Sequence, residues 1–188
     1  MREMLLSKAT GVGPGPLYVL DGVVPRLAPD AFIAPTASVI GDVVIGEKSG
    51  VWFNCVLRGD TNFIRVGART NIQDGTIVHV NAGRFPCLIG NDVTIGHAAI
   101  VHACTLEDGA FVGMGATVLD GAVIEECGML GAGGLLPVGK RIRRRELWMG
   151  APAKLVRVMD AEEWATFAEI AEHYVALAAR FRAGLAPA

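Results

Sequence analysis

Aliphatic side chains recur every six residues through most of this 188-residue sequence. A first run holds Ile33, Val39, Ile45, Val51 and Leu57, and a second holds Val66, Ile72 and Val78. A third holds Ile89, Ile95 and Val101. The last holds Leu106, Val112, Val118, Ile124, Leu130, Leu136 and Ile142. An α-helix repeats at about 3.6 residues and a lone strand at about 2, so neither produces this pattern. A solenoid does: a short strand, a tight turn, then the next face. Glycine often follows the aliphatic, as in Ile45-Gly46, Val66-Gly67, Ile89-Gly90 and Ile95-Gly96. A small residue often sits four places after it, as at Ala99, Ala110, Ala116 and Ala122. The pattern predicts a mainly β fold, a left-handed parallel β-helix. Three hexapeptides make one coil of its triangular prism, with the aliphatics inside and the small residues at the corners.

Composition agrees. Glycine supplies 24 residues, aromatics only 6%, and hydrophobic residues 52%. That is ample apolar content for a packed core, without a Gly-X-Y period. A net charge of −2 gives no basic surface for nucleic acid. No apolar run reaches the roughly 18 residues of a membrane span, and the start Met1-Arg2-Glu3-Met4-Leu5-Leu6-Ser7-Lys8 reads as too short and too charged for a secretory signal. Cys55, Cys87, Cys104 and Cys127 show no C-x-x-C spacing. They read as reduced, mostly buried thiols of a cytoplasmic protein.

The period breaks three times. Leu57 to Val66 has three extra residues, Val78 to Ile89 has five, and Val101 to Leu106 is one short. The two insertions are expected as loops leaving the prism. Residues 1–16, with Gly11-Val12-Gly13-Pro14-Gly15-Pro16, read as a flexible leader. Residues 17–150 form the β-helix domain, with a capping strand near 16–28, and 151–188 a connector and helix. Asp160-Ala161-Glu162-Glu163 reads as a capping box. Trp164, Phe167, Ala171, Tyr174, Ala178 and Phe181 then make a single apolar stripe on a helix of about 22 residues. Lys140 to Arg145 is the one basic run and reads as a solvated corner.

Three of the four histidines lie in the repeat. His79 follows Val78 and His102 follows Val101. They are 23 residues apart, three hexapeptides plus the five inserted residues, so they occupy the same place one coil apart. Adjacent parallel strands lie about 4.8 Å apart, close enough for two rings to share one ion. His97 falls two after Ile95, on the preceding face, and points away from that pair. It completes a three-nitrogen site only from a neighbouring prism, which makes trimerisation and metal binding one expectation. Three nitrogens with an open position are the layout of a catalytic zinc. By the same arithmetic Arg58 lies in the column of His79, and Asp74 in the column of His97.

With these residues on the page, the chain resembles the γ-class carbonic anhydrase family. The marks are Leu57-Arg58-Gly59-Asp60, Asn71-Ile72-Gln73-Asp74-Gly75, His79, Ile95-Gly96-His97, His102-Ala103-Cys104, Val112-Gly113-Met114-Gly115-Ala116 and Gly150-Ala151-Pro152-Ala153. The resemblance covers roughly residues 17–182. It implies a homotrimer with metal held by His79 and His102 of one subunit and His97 of the next. Zinc is the default ion, with iron(II) or cobalt as alternatives. It implies that a metal-bound hydroxide attacks carbon dioxide to give bicarbonate. Gln73 matches the residue that bonds the metal-bound water, Asn71 a supporting amide, and Tyr174 a helix tyrosine bordering the pocket. Arg58, Asp60 and Asp74 match a polar seam between subunits.

The sequence departs from the best-characterised branch of that family in three places. Thr61 stands where that branch has glutamate, the loop 80–86 has no carboxylate, and Ala176 replaces an asparagine. A different or missing proton relay is therefore expected, with a limit on rate. Two other classes remain open. One is a hexapeptide-repeat acyltransferase or thioesterase acting on acyl-CoA, and the other a non-catalytic metal-binding trimer.

Overall fold

The computed structural model describes residues 15–187. The leader expected over 1–16 lies, as far as residue 14, outside the described residues. Beyond it the chain winds a left-handed parallel β-solenoid of about seven coils, closed by one C-terminal helix. Each coil lays one strand on each of three faces. The first face stacks the start of Ser38–Ile45 and of Val56–Val66, then Ile77–His79, Ile100–His102, Thr117–Val118 and Leu135–Leu136. The second carries the ends of the two long strands, then Cys87–Ile89, Thr105–Leu106, Val123–Ile124 and Arg141–Ile142. The third runs from Phe32–Ile33 through Gly50–Val51, Asn71–Ile72, Thr94–Ile95 and Phe111–Val112 to Met129–Leu130.

The sixfold aliphatics fill the prism. All eighteen are buried, none more than 4% exposed. The corner alanines Ala99, Ala110, Ala116 and Ala122 are buried with them. Their outward neighbours alternate toward solvent, as the two-residue pleat requires. Backbone N–H groups bond the coil above at each corner, for instance Ile77 N to Ala99 O at 3.0 Å and Gly67 N to Ile89 O at 2.8 Å. One glycine column makes close stacking possible. A Cβ on Gly46 would lie 2.6 Å from the Gly67 carbonyl, and one on Gly67 would lie 2.6 Å from that of Gly90.

The two insertions behave differently. Residues 80–86 form the expected loop between Ile77–His79 and Cys87–Ile89. The first does not leave the prism. Val56–Val66 is one continuous strand, and its extra residues are a bulge between the pairs Gly41↔Gly59 and Val43↔Ile64. The bulge is held by its own side chains: Asp60 accepts from Thr61 N at 2.7 Å, and Asn62 from Phe63 N at 2.9 Å. The stretch expected as one capping strand near 16–28 is two short strands, Leu17–Tyr18 and Arg26–Leu27, both parallel to Ser38–Ile45. They are separated by a turn bridged at Leu20 and Val23.

At the far end the third face finishes in a hairpin the period did not announce, Glu146–Gly150 against Ala153–Val158. The helix Ala161–Gly184 then returns along the third face of its own prism. Asp160 caps it by accepting from Glu163 N at 2.8 Å. The reciprocal half of the capping box does not form. Glu163 turns to Arg157 instead, since a paired guanidinium binds a carboxylate more strongly than one backbone N–H does. Trp52 meets Tyr174 and Phe181 edge to face at 5.3 and 5.1 Å, and Phe111 meets Phe167 at 5.6 Å. Each such pair contributes about 0.5–1.5 kcal/mol beyond its buried area. In the basic run Arg141 pairs with Glu125 and Arg144 with Glu126.

All four cysteines are free, and Cys55, Cys87 and Cys104 are buried. Burial pushes the Cys55 thiol up to about 12. A thiol hydrogen bond with Cys87, together with burial, raises Cys104 as well.

Two outcomes follow from this packing. Gly67→Ala should lower stability by about 1–3 kcal/mol in urea unfolding, because the methyl must displace backbone. Thiol titration near pH 8 should show one accessible cysteine, Cys127, in the native protein and all four after denaturation.

Candidate metal centre

The register sets Arg58 opposite His79, and His79 opposite His102, in one column of the first face. His79 Nδ1 and His102 Nε2 face each other at 3.1 Å. The other nitrogen of each ring is turned to a carboxylate. His79 Nε2 lies 3.1 Å from Asp60 Oδ1, and His102 Nδ1 lies 2.5 Å from Asp120 Oδ1. An ionised carboxylate only accepts, so each ring carries its proton on the carboxylate side. In two neutral rings the facing nitrogens are then both acceptors, and a cation between them resolves the clash of lone pairs. Two nitrogens each about 2.0–2.1 Å from one zinc are also roughly 3 Å apart, so this donor pair fits the metal the sequence predicts.

The carboxylates are ionised to match. Burial alone would raise Asp60, but the Thr61 N–H, the His79 hydrogen bond and the Arg58 charge outweigh it and hold it at about 2. Asp60 thus pairs with Arg58 and also backs a histidine, the second a role not foreseen for it. Burial would raise Asp120 too, but hydrogen bonds from His102 and Asn81 hold it below the ordinary carboxylate range. Asp120 itself was missed by sequence reasoning.

The remaining candidates gather at the corner between the third and first faces. His97 follows Thr94–Ile95 and its Nδ1 lies 3.0 Å from Asp74 Oδ2. Asp74 also accepts from Phe53 N at 3.3 Å. Gln73 donates its amide to Asn71 Oδ1 at 3.0 Å, and Asn71 donates to Thr94 Oγ1 at 2.9 Å. Both amides are buried, so this chain of bonds fixes the Gln73 side chain. Tyr174 is half-buried on the helix; burial, and then the Asp74 charge, raises its hydroxyl.

One chain therefore carries two separate polar clusters. His79, His102, Asp60, Asp120 and Arg58 sit where the first face ends, whereas His97, Asp74, Gln73 and Asn71 sit where it begins. Among the described residues, no three His, Cys, Asp or Glu side chains of one chain are grouped to hold a metal. The face between the two clusters shows apolar side chains to solvent: Ile77 is 46% exposed and Ile100 41%.

Comparisons agree with this architecture. Gamma carbonic anhydrase 2, mitochondrial, of Arabidopsis thaliana is 52% identical over 159 residues, covering 82% of this chain and 57% of that protein. A carbonic anhydrase of Geobacillus kaustophilus is 40% identical over 159 residues, covering 85% of this chain and 87% of that protein. The crystal structure of a hexapeptide transferase family protein from Anaplasma phagocytophilum superposes with a TM-score of 0.82 at 50% identity, covering 86% of this chain and 95% of that one. No family model matches the chain. The chain spans 57% to 62% of the lengths of the plant carbonic anhydrases it resembles. The prism, its histidine column and its likeness to these relatives lead to one family: the chain belongs to the γ-class carbonic anhydrase-like proteins of the hexapeptide-repeat, left-handed β-helix type.

Proposed function

We propose that the chain is a metal-dependent carbonic anhydrase-like enzyme that interconverts carbon dioxide and bicarbonate at sites shared between subunits of a homotrimer. The observation that carries the reading is the pair of carboxylate-backed histidines with acceptor nitrogens 3.1 Å apart. A threefold arrangement sets the His79–His102 corner of one subunit against the His97 corner of the next, giving three nitrogens per site. Exposed Ile77 and Ile100 supply the apolar surface such contact needs.

A divalent ion, zinc by default and iron(II) or cobalt as alternatives, supplies an activated water at neutral pH when bound there. The chain's own residues do the rest. Asp60 and Asp74 hold the imidazoles of His79 and His97 in one tautomer and orientation. Gln73, held by Asn71, presents its carbonyl oxygen as an acceptor for the proton of the reacting water. Tyr174 borders the same corner, its burial keeping the hydroxyl protonated as a donor. No carboxylate on the loop 80–86 relays the released proton, so it passes to buffer. Three buried free thiols suit a reducing compartment such as the cytoplasm.

A hexapeptide-repeat acyltransferase or thioesterase is the second reading, favoured by the name of the Anaplasma neighbour. It uses one histidine as a base and leaves the other two without work.

Three measurements test the proposal. His102→Ala should lose bound metal, measured by elemental analysis, while light scattering still reports a trimer; full metal retention would overturn the site. Ile77→Asp with Ile100→Asp should separate the subunits and release the metal with them. Stopped-flow carbon dioxide hydration should show turnover by the zinc, cobalt or anaerobic iron(II) protein, rising with added imidazole buffer and absent in His102→Ala. A fully metallated trimer without turnover would leave the non-catalytic reading, and acyl-CoA hydrolysis would then be assayed.

A further inference from the structure

The second insertion, residues 80–86, lacks a carboxylate of its own, yet it is tied into the histidine column. Asn81 donates its amide to Asp120 Oδ2 at 2.6 Å. The other oxygen of Asp120 holds His102 Nδ1 at 2.5 Å. Asn81 is itself fixed twice: its N–H donates to Phe85 O at 3.0 Å, and its carbonyl accepts from Asn62 Nδ2 at 3.2 Å. Asn62 belongs to the bulge in the strand Val56–Val66. Phe85 packs on Gly121, where an added Cβ would lie 3.1 Å from the ring. Both insertions into the sixfold period therefore converge on one carboxylate, and through it on one imidazole.

A neutral imidazole carries its single proton on either nitrogen, and only the unprotonated one binds a metal. With the proton held on Nδ1 by Asp120, His102 presents Nε2 as the acceptor facing His79. Without Asp120, both tautomers and several ring orientations become open. We propose that Asp120, clamped by Asn81 of the loop 80–86, is the positioning residue that fixes the tautomer and aim of His102 as a metal ligand. This rests on the metal-site reading above and adds a residue to it. Loss of such an outer partner costs on the order of 10–100-fold in metal affinity.

The test compares full-length wild type with Asp120→Ala, Asp120→Asn, Asn81→Ala and, as control, Asp92→Ala. Asp92 pairs with Arg69 at a different corner. Zinc affinity is read by competition with a chromophoric chelator. The His102 tautomer is read from ring 15N shifts in the metal-free protein. Asp120→Ala should weaken zinc binding about 10–100-fold and convert a single Nδ1–H form into a mixture. Asn81→Ala should move both in the same direction by less, and Asp92→Ala should move neither. Asp120→Asn serves if the alanine variant does not fold; its amide is a weaker acceptor than a carboxylate and should also lose affinity. Wild-type affinity together with an unchanged tautomer in the Asp120 variants would overturn the inference while leaving the metal site standing. A wild-type chain that binds no zinc would overturn the metal site, and the 15N shifts would still decide the role of Asp120. Neutral behaviour of Asn81→Ala alone would remove the clamp.

Discussion

Everything in this protein depends on the backbone hydrogen bonds between successive coils. They lock each residue over its counterpart one coil away, so a separation along the chain becomes a fixed and short separation in space. The spacing of parallel strands, about 4.8 Å, is a spacing at which side chains interact directly. Arg58, His79 and His102 meet for that reason alone. The price is paid inside the prism, where a nearly uniform aliphatic column must fill the section at every level, and at the corners, where Gly46, Gly67 and Gly90 leave no room for a methyl.

The same ladder explains what could be read without coordinates. The prism, the buried aliphatics, the histidine column and the pairing of Asp74 with His97 all follow from counting in sixes. Asp120 escaped the count because its contact is diagonal. The register that sets Val118 against Val101 puts Leu119, not Asp120, opposite His102. The bulge at 60–63 escaped because three extra residues are few enough for a strand to absorb, given side chains that satisfy the bulged backbone. The hairpin Glu146–Gly150/Ala153–Val158 escaped because it abandons the sixfold period and reverses direction. Columns can be counted, whereas diagonals, bulges and reversals are set by geometry no single spacing encodes.

The helix plays a different part from the coils. It adds nothing to the ladder, but it shields the third face, where Trp52 and Asn71 lie buried. Its aromatic residues meet those of the prism at coils well separated along the axis, Phe111 near one end and Phe32 near the other. Arg182 then reaches back to the carbonyls of Pro29 and Asp30. A stack of nearest-neighbour contacts is in this way fastened by one long-range tie, and the amides behind Gln73 are kept from water.

The loop 80–86 shows how such a scaffold can change over evolutionary time. Its five additional residues leave His79 and His102 in register, because they enter at a corner, outside the strands that pair. An insertion of the same size within a rung would shear every column beyond it and part the two rings. A prism of this kind can lengthen, shorten and redecorate its corners, and absorb a short bulge as at 60–63, while its columns stay aligned. New chemistry can be grafted beside the histidine pair without any renegotiation of the core.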